Sequence, residues 1–225
     1  MGKEQRGKEQ RGKEQRGKEP PKSVDSRPLR AVVDACVWHA AFVRDLIVHV
    51  AVAGALDPVW TPAIETEWTR SVIRRRPDID ASRIHAAAER IRRILPDGIV
   101  PTALVARRAG RGLPPLPDPD DMHVLRAAVA ARAPIICTFD RRGFPSSALS
   151  PLGIEAISPD ELLARVIRRP GTATAARLLE GMRRHRASLR APPVDHSGYL
   201  GMLRSNRLPA TADLAEPIER GLADP

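Results

Sequence analysis

The chain has 225 residues, 42% of them hydrophobic and only 3% aromatic, and carries a formal net charge of +10 at pH 7. That size allows one domain of ordinary dimensions with extensions and an aliphatic core. Two cysteines, Cys36 and Cys137, without Cys-x-x-Cys or Cys/His spacing, exclude a disulfide scaffold and a zinc finger, and the longest apolar stretch, Leu46 to Leu56, is interrupted by His49 and falls far short of the roughly 20 residues that cross a membrane.

Residues 2–19 are a Gly-Lys-Glu-Gln-Arg pentad repeated three times and followed by Gly-Lys-Glu. With no apolar side chain to offset the entropy of ordering, a disordered tail is expected over residues 1–28. The charged start lacks the apolar segment of a secretory signal, and two unpaired thiols suit a reducing compartment, so a cytoplasmic protein with no membrane partner is expected.

From Leu29 the pattern turns to alternating strands and helices. An apolar strand, Leu29–Val33, leads into a helix over roughly 35–53, whose near-continuous apolar content points to burial. Residues 57–62 read as a short strand and turn, with Pro62 at a first helical position. Helices to about Arg76 and from Asp80 to Leu95 follow, then a weak strand at 98–100 and a Gly/Pro/Arg loop over 107–117. Asp118-Pro119-Asp120-Asp121 caps an Ala-rich helix reaching Arg132. Apolar strands at 135–139 and 153–157 complete the pattern, which predicts an α/β/α sandwich around a mainly parallel sheet. Pro170 marks a change to a basic helix ending near Arg190, a Pro192-Pro193 break, a short segment around Tyr199 to Leu203 and a Pro/Asp-rich tail. The chain thus divides into the tail, a folded domain over 29–168 and a helical extension over 169–225, too small for a robust core of its own, that packs on the domain or on a partner.

The charge is concentrated. All five lysines lie within the first 22 residues, whereas Trp68 to Gly112 holds eleven arginines (70, 74, 75, 76, 83, 90, 92, 93, 107, 108 and 111) against the four acids Asp78, Asp80, Glu89 and Asp97. Such a segment is either a phosphate-binding surface or a solvated helix face.

Four acidic positions are spaced so that separate segments can aim carboxylates at one point: Asp34 and Asp140, each ending an apolar strand; Glu67; and the Asp118/Asp120/Asp121 cluster. The carboxyl edge of an open parallel sheet is where ligands bind, and clustered carboxylates suit Mg²⁺ or Mn²⁺, hard cations that take oxygen ligands. Each acid also has a plainer reading. Asp34 can cap the following helix, either Asp118 or Asp120 can cap the later one, and Asp140 can serve a turn. Asp121 differs, because it shares a helical stripe with Val124, Leu125 and Ala128 and so faces the core at the helix start. Periodicity leaves Glu65 and Glu67 both open. His39, His49 and His123 read as packing or supporting residues, with His123 nearest the acids.

The order strand-Asp, helix-Glu, helix-start Asp, strand-Asp resembles the PIN-domain family, and within it the VapC-like ribonuclease toxins of bacterial toxin–antitoxin pairs. The stretches that carry the resemblance are Val32-Val33-Asp34-Ala35-Cys36-Val37, Glu67-Trp68-Thr69-Arg70, Asp118-Pro119-Asp120-Asp121-Met122-His123-Val124-Leu125, and Thr138-Phe139-Asp140-Arg141-Arg142-Gly143-Phe144-Pro145. Pro159-Asp160-Glu161-Leu162-Leu163 and the tail from Pro192 to Leu200 are similar to a longer subfamily.

The resemblance implies a PIN-like fold and a metal-dependent endoribonuclease. It assigns Asp34, Asp121 and Asp140 as ligands of Mg²⁺ or Mn²⁺, Glu67 over Glu65 as the residue that completes the site or orients water, and Asp118 as an outer candidate. RNA, a cognate antitoxin and a possible second copy in a homodimer are the implied partners. Two departures stand out. Cys36 replaces the family's usual Asn, which removes an amide hydrogen-bonding group, and Gly143 stands where an Asp is frequent. They motivate an alternative reading, a catalytically impaired PIN-fold module that binds RNA or a partner. Cys36 also argues against a strand-Asp phosphotransferase, which needs a second Asp at that position.

Overall fold

The computed structural model describes residues 27–110, 112–169, 172–190 and 192–220; the expected tail over 1–28 lies, except for its last two residues, outside them, as does Arg111. Strand β1 (Leu29–Val33) is followed by α1 (Ala35–His39), α2 (Ala41–Val52), β2 (Leu56–Val59), α3 (Pro62–Arg75), α4 (Ala81–Ile94), α5 (Thr102–Arg108), α6 (Met122–Ala131), β3 (Ile135–Cys137), α7 (Ser146–Leu149), β4 (Glu155–Ile157), α8 (Pro159–Arg168), α9 (Thr172–Ser188), α10 (His196–Ser205) and α11 (Pro209–Arg220). The four strands form one parallel sheet in the order β2-β1-β3-β4.

Helices cover the sheet, and so its inner strands are continuously apolar over 31–33 and Ile135–Cys137 instead of alternating. Ala31, Val32, Val33, Ile135, Ile136 and Cys137 are all buried. Side-chain caps start the helices: Thr61 Oγ1 accepts from the Ile64 amide, Asp80 from Ser82, Ser158 from Glu161 and Asp195 from Gly198. The chain leaves β1 toward β2 and later returns past β1 to β3. The carboxyl ends of β1 and β3 therefore flank the switch point where open sheets form their binding crevice.

Several expected elements differ in detail. The single helix over 35–53 is two helices, because Ala40 is extended at φ −75°, ψ 96°. Arg44 Nη1 donates to the carbonyl of Trp38 at 3.1 Å, which helps satisfy the interrupted helix end. The weak strand at 98–100 is a single bridge between Trp60 and Ile99 preceded by a 3-10 turn at Pro96–Gly98. The expected loop from Arg107 begins after α5, an amphipathic turn that its short length hides from periodicity. Strand β3 ends at Cys137, two residues early, although the Thr138 amide still donates to Ile157 O. The Pro/Asp-rich tail contains α11, with Pro217 inside it.

Helices α9 to α11 share one hydrophobic cluster with the sheet domain: Leu178, Leu179, Met182, Tyr199, Leu200, Leu203, Leu208, Ala212 and Ala215 are buried in the same core as Val32 and Ile136. Helix α9 lies along α2, and α11 along α8. Asp160 at the start of α8 binds the first turn of α11, with Oδ1 accepting from the Thr211 amide at 2.7 Å and Oδ2 from the Ala210 amide at 3.0 Å.

Candidate active site

Asp34 follows β1 and is 6% exposed. Its Oδ1 accepts from the Ala35 amide at 2.6 Å, so it does cap α1, while Oδ2 accepts from the Thr138 hydroxyl at 2.7 Å and the Cys36 thiol at 3.1 Å. The cap and site readings of Asp34 are therefore compatible, because each uses a different oxygen. Thr138 in turn accepts from the Asp140 amide at 2.9 Å. One hydroxyl thus ties the acid after β1 to the loop after β3. Sequence reasoning gave Thr138 no role; the signal for it was a small hydroxyl at a strand end, two residues before Asp140.

Cys36 stands where an amide was expected and supplies a donor of its own. Burial first, and then the charge of Asp34, pushes its thiol up to about 12, so it stays protonated and can donate. Its sulfur also accepts from the Phe139 amide at 3.3 Å.

Asp140 turns its Oδ1 back onto the amides of Arg142 and Gly143, at 3.1 and 3.3 Å, which is the turn reading. Its Oδ2 faces the site. A Cβ placed on Gly143 would lie 3.5 Å from that oxygen and 2.5 Å from Asp121 Oδ2. Any side chain at 143 would have to displace the Asp121 carboxylate, so the glycine keeps open the space that these two acids border.

Asp118 is the cap of the turn that starts α6, its Oδ1 accepting from the Asp120 amide at 2.9 Å. Asp121 is half-buried. Its carboxyl is pushed up to about 6 by burial, and then by the negative charges of Asp34, Asp118, Asp140 and Glu67. Those four carboxylates therefore all lie within electrostatic reach of Asp121.

Glu65 and Glu67 part company. Glu65, with a side chain only 14% exposed, accepts from Trp60 Nε1 at 3.2 Å and lies 3.2 Å from Arg92 Nη2. Glu67 is 54% exposed and faces the cleft, with Oε2 3.2 Å from His123 Nε2. His123 Nδ1 lies 2.6 Å from the Asp120 carbonyl, which can only accept, so that nitrogen carries its proton. The Glu67 carboxylate then favours a second proton on Nε2, and it is the main reason the imidazole is raised above its ordinary value.

Glu67, Asp121 and His123 open onto a cleft of about 920 Å³. Glu67, Asp118, Asp120, Asp121 and His123 line its acidic side, and Arg70, Arg74 and Arg75 of α3 line its basic side. Only part of the arginine-rich segment points here. Arg92 pairs with Glu65, Arg76 with Asp78, and Arg108 donates to the Ala130 carbonyl. Among the described residues, no three His, Cys, Asp or Glu side chains are close enough to enclose an ion as they stand. The donor chemistry nevertheless suits a hard divalent cation, since the oxygens are all carboxylate and their mutual repulsion already raises Asp121.

A model of the PIN domain matches residues 30–142, half of the chain, and takes in Asp34, Glu67, Asp121 and Asp140. The chain belongs to the PIN-domain family. A Mycobacterium tuberculosis protein named "Putative ribonuclease VapC50" is 49% identical over 43 residues, 19% of this chain and 25% of that protein. The match therefore spans a quarter of that relative's length, and it supports the likeness to VapC-type proteins. No solved structure matches the chain.

Proposed function

We propose that this PIN-domain protein is a Mg²⁺- or Mn²⁺-dependent endoribonuclease that hydrolyses RNA phosphodiesters, as the toxin of a toxin–antitoxin pair. The observation that carries the reading is that burial and the charges of Asp34, Asp118, Asp140 and Glu67, brought in from separate segments, raise Asp121 to about 6 beside a cleft that Glu67 and Asp121 line. Asp34, Asp121 and Asp140 would hold the ion, with Glu67 completing the site and Asp118 at its margin. The ion when bound supplies a nucleophile near neutral pH and offsets charge on the phosphoryl group.

The chain's own residues do the rest. Thr138 and Cys36 fix the Oδ2 of Asp34, so that the acid presents one defined lone-pair direction. Glu67 orients the attacking water, and His123, held against Glu67, keeps a proton beside the cleft. Arg70, Arg74 and Arg75 bind phosphates flanking the scissile one. The scarcity of aromatic residues leaves little base stacking, which favours recognition of RNA shape or a structured loop.

The impaired-module reading rests on Cys36 and Gly143. Against it, the thiol still donates to Asp34 and the glycine opens the site. Incubating the purified full chain with RNA in Mn²⁺, Mg²⁺ or chelator separates the two. Cleavage that requires the metal and is abolished by Asp34→Asn and Asp121→Asn, with melting curves showing both variants folded, is the expected result. RNA left intact by the folded wild-type protein in either metal would leave only the module. As a toxin, the protein would meet a cognate antitoxin that covers the cleft; an unchanged cleavage rate on adding the product of the neighbouring gene would remove that partner. No helix among the described residues is long and apolar enough to cross a membrane.

A further inference from the structure

Phe139, between Thr138 and Asp140, is covered by a residue from far along the chain. The Arg207 guanidinium carbon sits 4.3 Å from the centre of the Phe139 ring. Arg207 lies in the α10–α11 turn, beyond residues 30–142 that match the family model.

The turn is built to hold it there. Helix α10 ends with the Arg207 amide donating to Arg204 O at 3.2 Å and the Leu208 amide to Leu203 O at 2.9 Å. This paired closure places Arg207 where helices usually carry glycine, and its φ is +66°. A residue with a Cβ at such a position is sterically disfavoured, yet the position is firmly anchored. Leu203 and Leu208 on either side are fully buried, and Asp160 grips the start of α11. Arg207 itself is exposed, and among the described residues no carboxylate pairs with it. Stacking uses the face of the guanidinium and leaves its N–H edge free to bind a phosphate. Arg141 on the same loop is instead 3.7 Å from Glu161.

The sheet order sets the location. Arg70, Arg74 and Arg75 line the cleft from α3, which follows β2; Asp34 and Asp140 follow the central strands β1 and β3; Phe139 and its arginine lie on the β3 side. A polyanion drawn across a row of carboxylates needs cations on both flanks.

We propose that Arg207 binds an RNA phosphate on the β3 side of the cleft, so that the strand to be cut runs from the α3 arginines across Asp34 and Asp140 to the C-terminal helices. This rests on the ribonuclease reading and adds a substrate contact from outside the matched domain. The test uses the full chain carrying Asp121→Asn to prevent turnover, and a labelled single-stranded RNA followed by fluorescence anisotropy over a series of KCl concentrations. Arg207→Gly suits the left-handed backbone and so removes the guanidinium while sparing the fold; Arg207→Lys keeps the charge without the stacked fork.

The Gly variant is expected to bind about tenfold more weakly, with the slope of log K against log salt reduced by about 0.7, as for one lost contact on a single strand. The Lys variant should keep most of that slope and recover part of the affinity. Equal affinity for the parent and the Gly variant, or a loss of affinity with the slope unchanged, would overturn the assignment. A parent that binds no RNA even at low salt would bring down the ribonuclease reading with it, whereas a parent that binds as well as its Gly variant would remove Arg207 alone.

Discussion

Asp121 begins α6 with its carboxylate half-buried and four other acids acting on it, which raises it from 3.8 to about 6. A carboxyl whose folded value exceeds its unfolded one holds its proton more tightly when folded. This group therefore adds stability as pH falls from about 6 toward 4 and opposes folding at higher pH. Asp121→Asn should raise metal-free stability at pH 7.5 by roughly 1 kcal/mol, allowing for solvent screening, while abolishing cleavage. Melting curves in chelator check the first part, and a variant less stable than the wild type would refute the repulsion account. Cys36 supports the neighbouring acid through its thiol. Replacing it with Ala removes the ties to both Asp34 and the Phe139 amide, and cleavage should fall about tenfold, as for other groups that orient a ligand. Cys36→Ser keeps a donor and should stay close to wild type. Equal rates for the Ala variant and the wild type in Mn²⁺ would show that the thiol is dispensable.

At the scale of elements, the pair α2 and α9 joins the sheet domain to the C-terminal helices. Gly181 makes the close approach possible, since a Cβ there would lie 2.7 Å from Val50 Cα and 2.9 Å from the His49 carbonyl. Both are backbone atoms, so relief requires moving a helix. Gly181→Ala should destabilise the protein by roughly 2 kcal/mol, an overpacking cost. Gly201 in α10 meets nothing within 4 Å, and its Ala variant should be neutral or slightly stabilising. Urea midpoints for the two variants make the comparison, and equal midpoints would contradict this packing.

For the molecule as a whole, mild acid acts through the same interface. His185 on α9 is 1% exposed, with Nδ1 2.8 Å from the Tyr199 hydroxyl and its ring packed edge-on against Phe42 of α2. Burial first, then His49, lowers it from 6.5 to about 4. The unfolded chain then binds the extra proton more readily than the folded one. The stabilisation is complete above about pH 6.5 and is lost progressively as pH falls toward 4, at most about 3 kcal/mol. Asp121 acts in the opposite direction over part of that range and is smaller, so the net expectation is loss of stability between pH 6.5 and 4. His185→Phe should flatten this slope in chemical denaturation at stepped pH, and an unchanged slope would place the titration elsewhere.

Asp34 at the end of β1, the Pro62 helix start and the Asp118 cap were legible along the chain because each rests on local periodicity, fixed φ or a short-range hydrogen bond, whereas Asp140 lies in a turn three residues past the end of β3. The likeness to PIN domains was legible too, in four short stretches. Periodicity left Glu65 and Glu67 both open and only the resemblance chose Glu67, because both lie near one helical stripe until Trp60 and Arg92 take up Glu65 from other elements. The break at Ala40, the role of Thr138 and the stacking of Arg207 on Phe139 were not legible. Thr138 and Asp34 are 104 residues apart in the chain, and their contact exists only once β1 and β3 pair. Local chemistry is written in neighbouring residues, whereas convergence of distant side chains depends on the register and crossing of elements that no single segment contains.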